Sequence, residues 1–213
     1  YWSQIKRGQA GSTLKNINLR ILNDILIPLP PLDEQRKIAR ILFTIDEAIT
    51  KTEAIISRVE ELRMALLDYL MTHGIRHKEY KETEIGKIPK KWKVDKIQSV
   101  IIKVIGGGTP STKNPRYWNG DIPWITSVSI PEDSIYITKG ERFITEEGLK
   151  NSATNIVPKG NVIVATRVGL GKAGVNLLDI AINQDLTGLI VNRKYIIPAF
   201  LAYYLRSPKI VRY

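Results

Sequence analysis

The stretch from Asp33 to Met71 constrains this chain most, because it repeats apolar side chains at helical spacing with no internal Gly or Pro. Apolar residues recur at Ile38, Ile41, Leu42, Ile45, Ile49, Ile55, Ile56, Val59, Leu62, Leu66, Leu67 and Leu70. In heptads, one seam runs Ile38, Ile45, Thr52, Val59, Leu66 and the next Ile41, Ala48, Ile55, Leu62, Tyr69. Spacings of three and four sustained this long predict a coiled-coil helix. Pro31 suits a first turn, Asp33 and Glu34 place negative charge at the positive end of the dipole, and Gly74 is a candidate C-cap. At 1.5 Å per residue such a helix spans roughly 60 Å, about twice the diameter of a small domain. One domain cannot cover its stripe, and the sequence offers no second long helix. A second copy or a partner subunit must supply it. The predicted interface positions are Ile38, Ile45, Ile55, Val59, Leu62 and Leu66.

Charge divides the chain in a second way. From Asp33 to Thr72 the acidic residues outnumber the basic ones by two, whereas the 213-residue chain carries +11, so the remainder carries +13. A basic globular part beside a slightly acidic helix points to a polyanion, and nucleic acid is the expected class of partner. With no cysteine, disulfides, thiolate metal sites and cysteine nucleophiles are excluded. His73 and His77 fall in a polar segment after the helix, where a solvated role is expected rather than metal or triad chemistry. No run approaches the ~20 apolar residues of a membrane span, and no secretory signal is visible, so a cytoplasmic location without membrane contact is expected.

Taken in order, the chain opens with a basic polar stretch from Lys6 to Lys15, then a short predicted helix capped by Asn18 with Leu19, Ile21 and Leu22 as its apolar face. The prolines at 28, 30 and 31 force residues 25–30 to be extended. Ile75 to Lys96 reads as a basic linker with little to bury beyond Tyr80, Ile85, Ile88 and Trp92. Predicted strands follow at Ile97–Ile105, Ile122–Ile125, Asn161–Ala165 and Asp185–Val191, with a helix from Ala199 to Tyr213 carrying Phe200, Tyr203 and Tyr204 on one side. The fold class is α+β: a mixed α/β domain plus one long helix.

Several stretches together resemble the specificity subunits of type I restriction–modification enzymes. They are AGSTLKNI (10–17), IPLPPLDEQRKIARIL (27–42), EIGKIPKKWKV (84–94), GGTPST (107–112), YWNGDIPWIT (117–126), ITEEGLKNS (144–152), IVPKG (156–160) and AINQ (181–184). The resemblance covers nearly the whole chain. It implies two similar halves, each a target recognition domain followed by a long helix. The helices pair antiparallel, set the spacing of the recognition domains on DNA and dock methyltransferase subunits, through which the restriction subunit joins. Here the order is recognition-domain tail (1–30), spacer helix (31–75) and recognition-domain head (76–213). An internal fragment and a circular permutant both fit that order, and the near absence of gap or overlap between Tyr213 and Tyr1 favours permutation or a symmetric cut. A two-fold homodimer through the helix is expected, reading a palindromic target split by a fixed spacer.

The resemblance implies a non-catalytic reader of double-stranded DNA that needs no cofactor. Lysines and arginines would contact phosphates, and polar loop side chains would read base edges. The candidates are Ser12, Thr13, Lys15, Thr109, Ser111, Thr112, Lys113, Tyr117, Trp118, Thr126, Arg167 and Lys172. For Trp118 and Trp124 core packing is the competing role. Asn183 and Gln184 could read adenine or tie a turn. Two other classes stay in view. Gly169-Leu-Gly171-Lys-Ala-Gly174 matches a dinucleotide pattern and would make the chain a nucleotide-dependent transferase, but no convincing helix follows it. Asn114-Pro115-Arg116-Tyr117 departs from the amino-methyltransferase motif at Arg116. A coiled-coil scaffold with no DNA role is the third.

Overall fold

The computed structural model describes residues 22–207. Ser12, Thr13, Lys15 and the helix expected after Asn18 lie outside them, apart from that helix's Leu22. The chain divides into two compact units at Arg58/Val59.

Helix α1 runs Leu32–His73 without a break. Its start is chemical: the Pro31 carbonyl accepts from the Glu34 and Gln35 N–H groups at 2.9 and 3.0 Å, and the Gln35 amide donates to the Pro30 carbonyl at 2.7 Å. Its end is conformational. Gly74 takes φ +65°, in the left-handed region, and donates to the Leu70 carbonyl at 3.0 Å. Within the first seam, the Thr52 hydroxyl returns to the Ala48 carbonyl at 2.7 Å, so its donor is satisfied within the helix. The six predicted interface residues remain between 45% (Ile38) and 66% (Leu62) exposed.

The linker is more ordered than its composition implies. β1 (Tyr80–Lys81) pairs antiparallel with β2 (Ile88–Pro89), and Ile88 and Pro89 are buried. Neither histidine is simply solvated. His73 stacks on Tyr69 at 4.5 Å with Nδ1 2.7 Å from the Thr72 hydroxyl, and His77 meets the edge of Trp92.

The remaining strands are β3 (Ile101–Gly106), β4 (Trp118–Ile125), β5 (Tyr136–Ile137), β6 (Arg142–Ile144), β7 (Asn155–Val157), β8 (Val162–Ala165), β9 (Ala173–Asn176), β10 (Ile180–Ile182) and β11 (Leu186–Val191). Helices α2 (Glu146–Lys150) and α3 (Pro198–Leu205) complete the fold. One sheet has the order β3-β11-β8-β9-β5 and the other β6-β4-β10-β7. All pairs are antiparallel except β4/β10 and β5/β9. The main core cluster draws on both sheets: Ile163, Ala165 and Leu186 from one, Ile125, Val157, Ile180 and Ile182 from the other. A second cluster lies under Leu201 and Ala202 of α3. The third joins Trp118, Trp124, Ile144 and Ala181.

Two expected elements are shorter than their sequence suggests. The apolar run Ile97–Ile105 begins as a 3-10 turn and becomes strand only at Ile101. β3 is an edge strand, and Ile102 and Val104 stay 68% and 54% exposed on its uncovered face. The helix expected from Ala199 to Tyr213 ends at Leu205. There Arg206 turns its guanidinium onto the carbonyls of Ala173 and Pro131, at 2.5 and 2.7 Å. The buried face of α3 is Leu201 and Ala202, while Phe200 and Tyr203 are exposed.

Candidate nucleic-acid interface

β3, β4, β8 and β10 all end, and β11 begins, at one pole of the two sheets. Four connections meet there: residues 107–114, 126–129, 166–172 and 183–185. Hydrogen bonds tie them together. Gly108 N–H donates to the Ile182 carbonyl at 3.0 Å, Asn183 N–H to the Ile125 carbonyl at 3.0 Å, and Thr166 N–H to the Asp185 carbonyl at 2.8 Å. The hydroxyls of Thr166 and Thr187 lie 3.1 Å apart. A Cβ on Gly169 would stand 3.6 Å from that of Ser127, so the 166–172 turn lies against the 126–129 turn.

The glycines before Thr109 serve close packing. A Cβ on Gly107 would meet the Asn183 carbonyl oxygen at 2.1 Å, and one on Gly108 the Ala153 backbone at 2.6 Å. Two tryptophans then fasten the loop by its carbonyls. The Trp124 indole donates to Gly108 and the Trp118 indole to Ser111, each at 3.2 Å, and the rings meet edge to face at 5.3 Å. Trp118 is only 6% exposed. It therefore holds the loop from beneath rather than lying on its surface, because Trp124 and Ile144 pack around it. Tyr117 is half-buried against the same cluster.

The other candidates separate by partner. The Thr109 hydroxyl donates to Gln184 Oε1 at 2.6 Å, and Thr126 to the Glu141 carboxylate at 2.7 Å. Lys172 pairs with Glu132 at 2.8 Å, and the hydrogen bond and charge of that ammonium hold the Glu132 carboxyl below its usual range. Among the described residues, the side chains of Ser111, Thr112, Lys113 and Arg167 are exposed and make no hydrogen bond or ion pair. Asn183 is buried, donating to the Asp185 carboxylate at 2.8 Å and accepting from Asp185 N–H at 3.2 Å, so it ties the turn. Gln184 is exposed with its amide nitrogen turned away from Thr109's bond.

Two residues at this pole carried no sequence signal. The guanidinium of Arg142 lies 3.6 Å over the Trp118 ring, a cation–π stack that fixes its planar fork. Glu141 accepts from Thr126 and Ser129. The register that sets Arg142 opposite Trp124 puts both there.

The glycine-rich pattern does not build a dinucleotide site. Gly169 and Gly171 take positive φ in a turn, and the chain passes directly into β9, which contains Gly174. No helix N-terminus opens there to hold a pyrophosphate. Among the described residues no three His, Asp or Glu converge as metal ligands, and no helix is long and apolar enough to cross a membrane.

Comparison with known proteins agrees with this architecture. The family model described as the type I restriction modification DNA specificity domain matches residues 3–61 and 89–211. The type I restriction enzyme MjaIX specificity subunit of Methanocaldococcus jannaschii is 40% identical over 136 residues, 63% of this chain and 31% of that protein. The EcoBI specificity subunit of Escherichia coli is 25% identical over 98% of this chain and 47% of its own length. This chain thus spans less than half the length of these relatives. Among solved structures, a chain from a type I R-M system studied for complex assembly and conformational transition superposes with a TM-score of 0.62 at 17% identity, over 99% of this chain and 51% of that one. The HsdS subunit from Thermoanaerobacter tengcongensis gives 0.51, also at 17% identity and over 51% of its length. These likenesses extend to the long helix and the mixed sheets. The chain belongs to the type I restriction modification DNA specificity family.

Proposed function

We propose that this chain is a non-catalytic, sequence-specific DNA recognition subunit. Its recognition domain, built from residues 1–30 and 76–213, reads one half-site, and α1 sets the distance to the next. The observation that carries this reading is the convergence of four loops on one pole, where the side chains of Ser111, Thr112, Lys113 and Arg167 are exposed and, among the described residues, make no hydrogen bond or ion pair. Donors and acceptors held on sheet ends are placed for base edges, and unpaired cations for phosphates. The stacked fork of Arg142 adds a further preorganised donor set. Exposed Val128 and Val168 at the same pole offer methyl groups for thymine contact.

Assembly follows from the stripe. Burying a Leu or Ile contributes roughly 1.5–3 kcal/mol, so the exposed seam of α1 favours a partner strongly. A two-fold antiparallel homodimer covers both seams with the same residues and places two recognition domains on a palindrome with a fixed spacer. Methyltransferase subunits, and through them a restriction subunit, dock on that assembly in the cytoplasm. The test is duplex binding against salt, with methyltransferase partner present. With Z phosphate contacts, log K falls against log salt with a slope near −0.9Z, and Arg167→Ala removes about one contact from the slope. A flat salt response, or no binding at low salt, would leave only the scaffold reading.

A further inference from the structure

A carboxylate beside the 126–129 turn, at a pole that also carries Lys113, Arg142 and Arg167, asks for an explanation, because it repels the phosphates that the neighbouring cations attract. Glu141 immediately precedes β6, and its backbone N–H donates to the Trp124 carbonyl at 3.0 Å, which brings it beside the 126–129 turn. Three donors meet on one of its oxygens. Oε2 accepts from the Thr126 N–H at 3.3 Å, the Thr126 hydroxyl at 2.7 Å and the Ser129 hydroxyl at 2.5 Å. Among the described residues Oε1 accepts no hydrogen bond, and the side chain is exposed beside a shallow hollow of about 400 Å³ shared with Val128, Ser129, Lys139 and Gly140. The hydroxyls of Ser129 and Thr126 hold the carboxyl below its usual range, so the group stays ionised, an acceptor without a donor.

A capping role for the 3-10 turn accounts for Oε2 alone. It leaves a fixed, outward acceptor at the same pole as the loops proposed to face DNA. We propose that Glu141 is a specificity-determining residue whose Oε1 accepts a hydrogen bond from an exocyclic amino group of a target base in the major groove. Cytosine N4 fits best, since adenine N6 is flanked by the N7 acceptor, which opposes a carboxylate oxygen, whereas cytosine carries only C5–H there. The proposal rests on the half-site reading above.

The test is selection from a random duplex library with the intact chain and its methyltransferase partner, comparing wild type with Glu141→Gln. The Gln carbonyl replaces Oε2 on the Thr126 and Ser129 donors, which turns its NH₂ outward, a donor where the acceptor stood. The expected result is that discrimination falls about five- to tenfold at one base pair per half-site, away from cytosine and towards guanine or thymine, with all other pairs unchanged. Thermal melting checks that the Gln chain is folded. If it is not, Glu141→Asp, which retracts the charge by one methylene, must weaken the same single pair. A variant that selects the wild-type sequence with undiminished discrimination overturns the proposal. So does a variant that weakens every pair equally, which is the signature of a capping role alone. A wild-type chain that selects no sequence overturns the half-site reading itself and this proposal with it.

Discussion

Leu62→Ala separates a lone helix from a paired one. Leu62 is 66% exposed on α1. If the chain works as a monomer, truncating it removes little buried surface and installs the best helix former, so stability stays within about 0.5 kcal/mol. If Leu62 is a seam residue of a two-fold dimer, each copy loses a buried leucine, at about 2–5 kcal/mol for Leu→Ala. The symmetry operator doubles that, so the dimer dissociation constant rises on the order of a thousandfold or more. Sedimentation velocity from nanomolar to micromolar concentration reads the constant directly. Lys51→Ala is the control, because its pair with Glu47 at 3.7 Å is highly exposed and such pairs contribute about 0–1 kcal/mol. Asp at both Ile55 and Leu62 should abolish the dimer and with it methyltransferase docking. A wild-type chain sedimenting as a 24.1 kDa monomer at micromolar concentration refutes the pairing. A Leu62→Ala constant within a factor of two of wild type refutes the assignment of Leu62 to the seam.

Two further outcomes follow from single side chains. Asn176 is fully buried, donating to the carbonyls of Val157, Pro158 and Leu178 at 2.8–2.9 Å and accepting from Asn161 N–H at 3.0 Å. Asn176→Ala removes a bond from the Val157 and Leu178 carbonyls and the Asn161 N–H, while the Pro158 carbonyl keeps the Asn161 amide at 2.9 Å; at about 1–3 kcal/mol each without full additivity, a loss of about 3 kcal/mol and a fall in melting temperature of about 10 °C are expected by calorimetry. Ser129→Ala tests the Glu141 carboxylate through pH. Because the folded pKa is depressed, its stabilisation is present above the ordinary value of 4.5 and is lost as pH falls through the folded value. The melting difference between wild type and Ser129→Ala should therefore be largest near neutral pH and shrink in acid. A difference that grows in acid reverses the sign and refutes the hydrogen-bond assignment.

The sequence made some elements plain and hid others, according to how local their causes are. α1 was legible within two residues at either end because periodicity, Pro31, the first-turn acids and Gly74 act within one or two turns. The ends of β4, β8 and β11 were legible as β-branched apolar runs. β9 and β10 were not: Ala173–Asn176 holds a glycine and a buried asparagine, and becomes strand only through pairing with β8 and β5. The truncation of α3 was equally invisible, since Arg206 finds its carbonyl partners thirty and more residues away.

At the pole where the four loops meet, composition and geometry answered different questions. Hydroxyl and basic residues marked the 109–113 and 167–172 loops, but composition could not say which of them already had partners. The fold spends Thr126 on Glu141, Lys172 on Glu132 and Trp118 on the loop carbonyl and Arg142. Those pairings set which groups stay free to face a ligand, and they arise from strand register rather than from any local motif. Pairing Trp124 with Arg142 brings a guanidinium over one indole and a carboxylate beside the 126–129 turn in a single step. A slip of one residue in β6 would turn Arg142 to the other face and carry Glu141 away from the 126–129 turn. On the proposed reading, base preference at this pole depends on the β4–β6 register, and loop substitutions that change it should do so only where that register is kept.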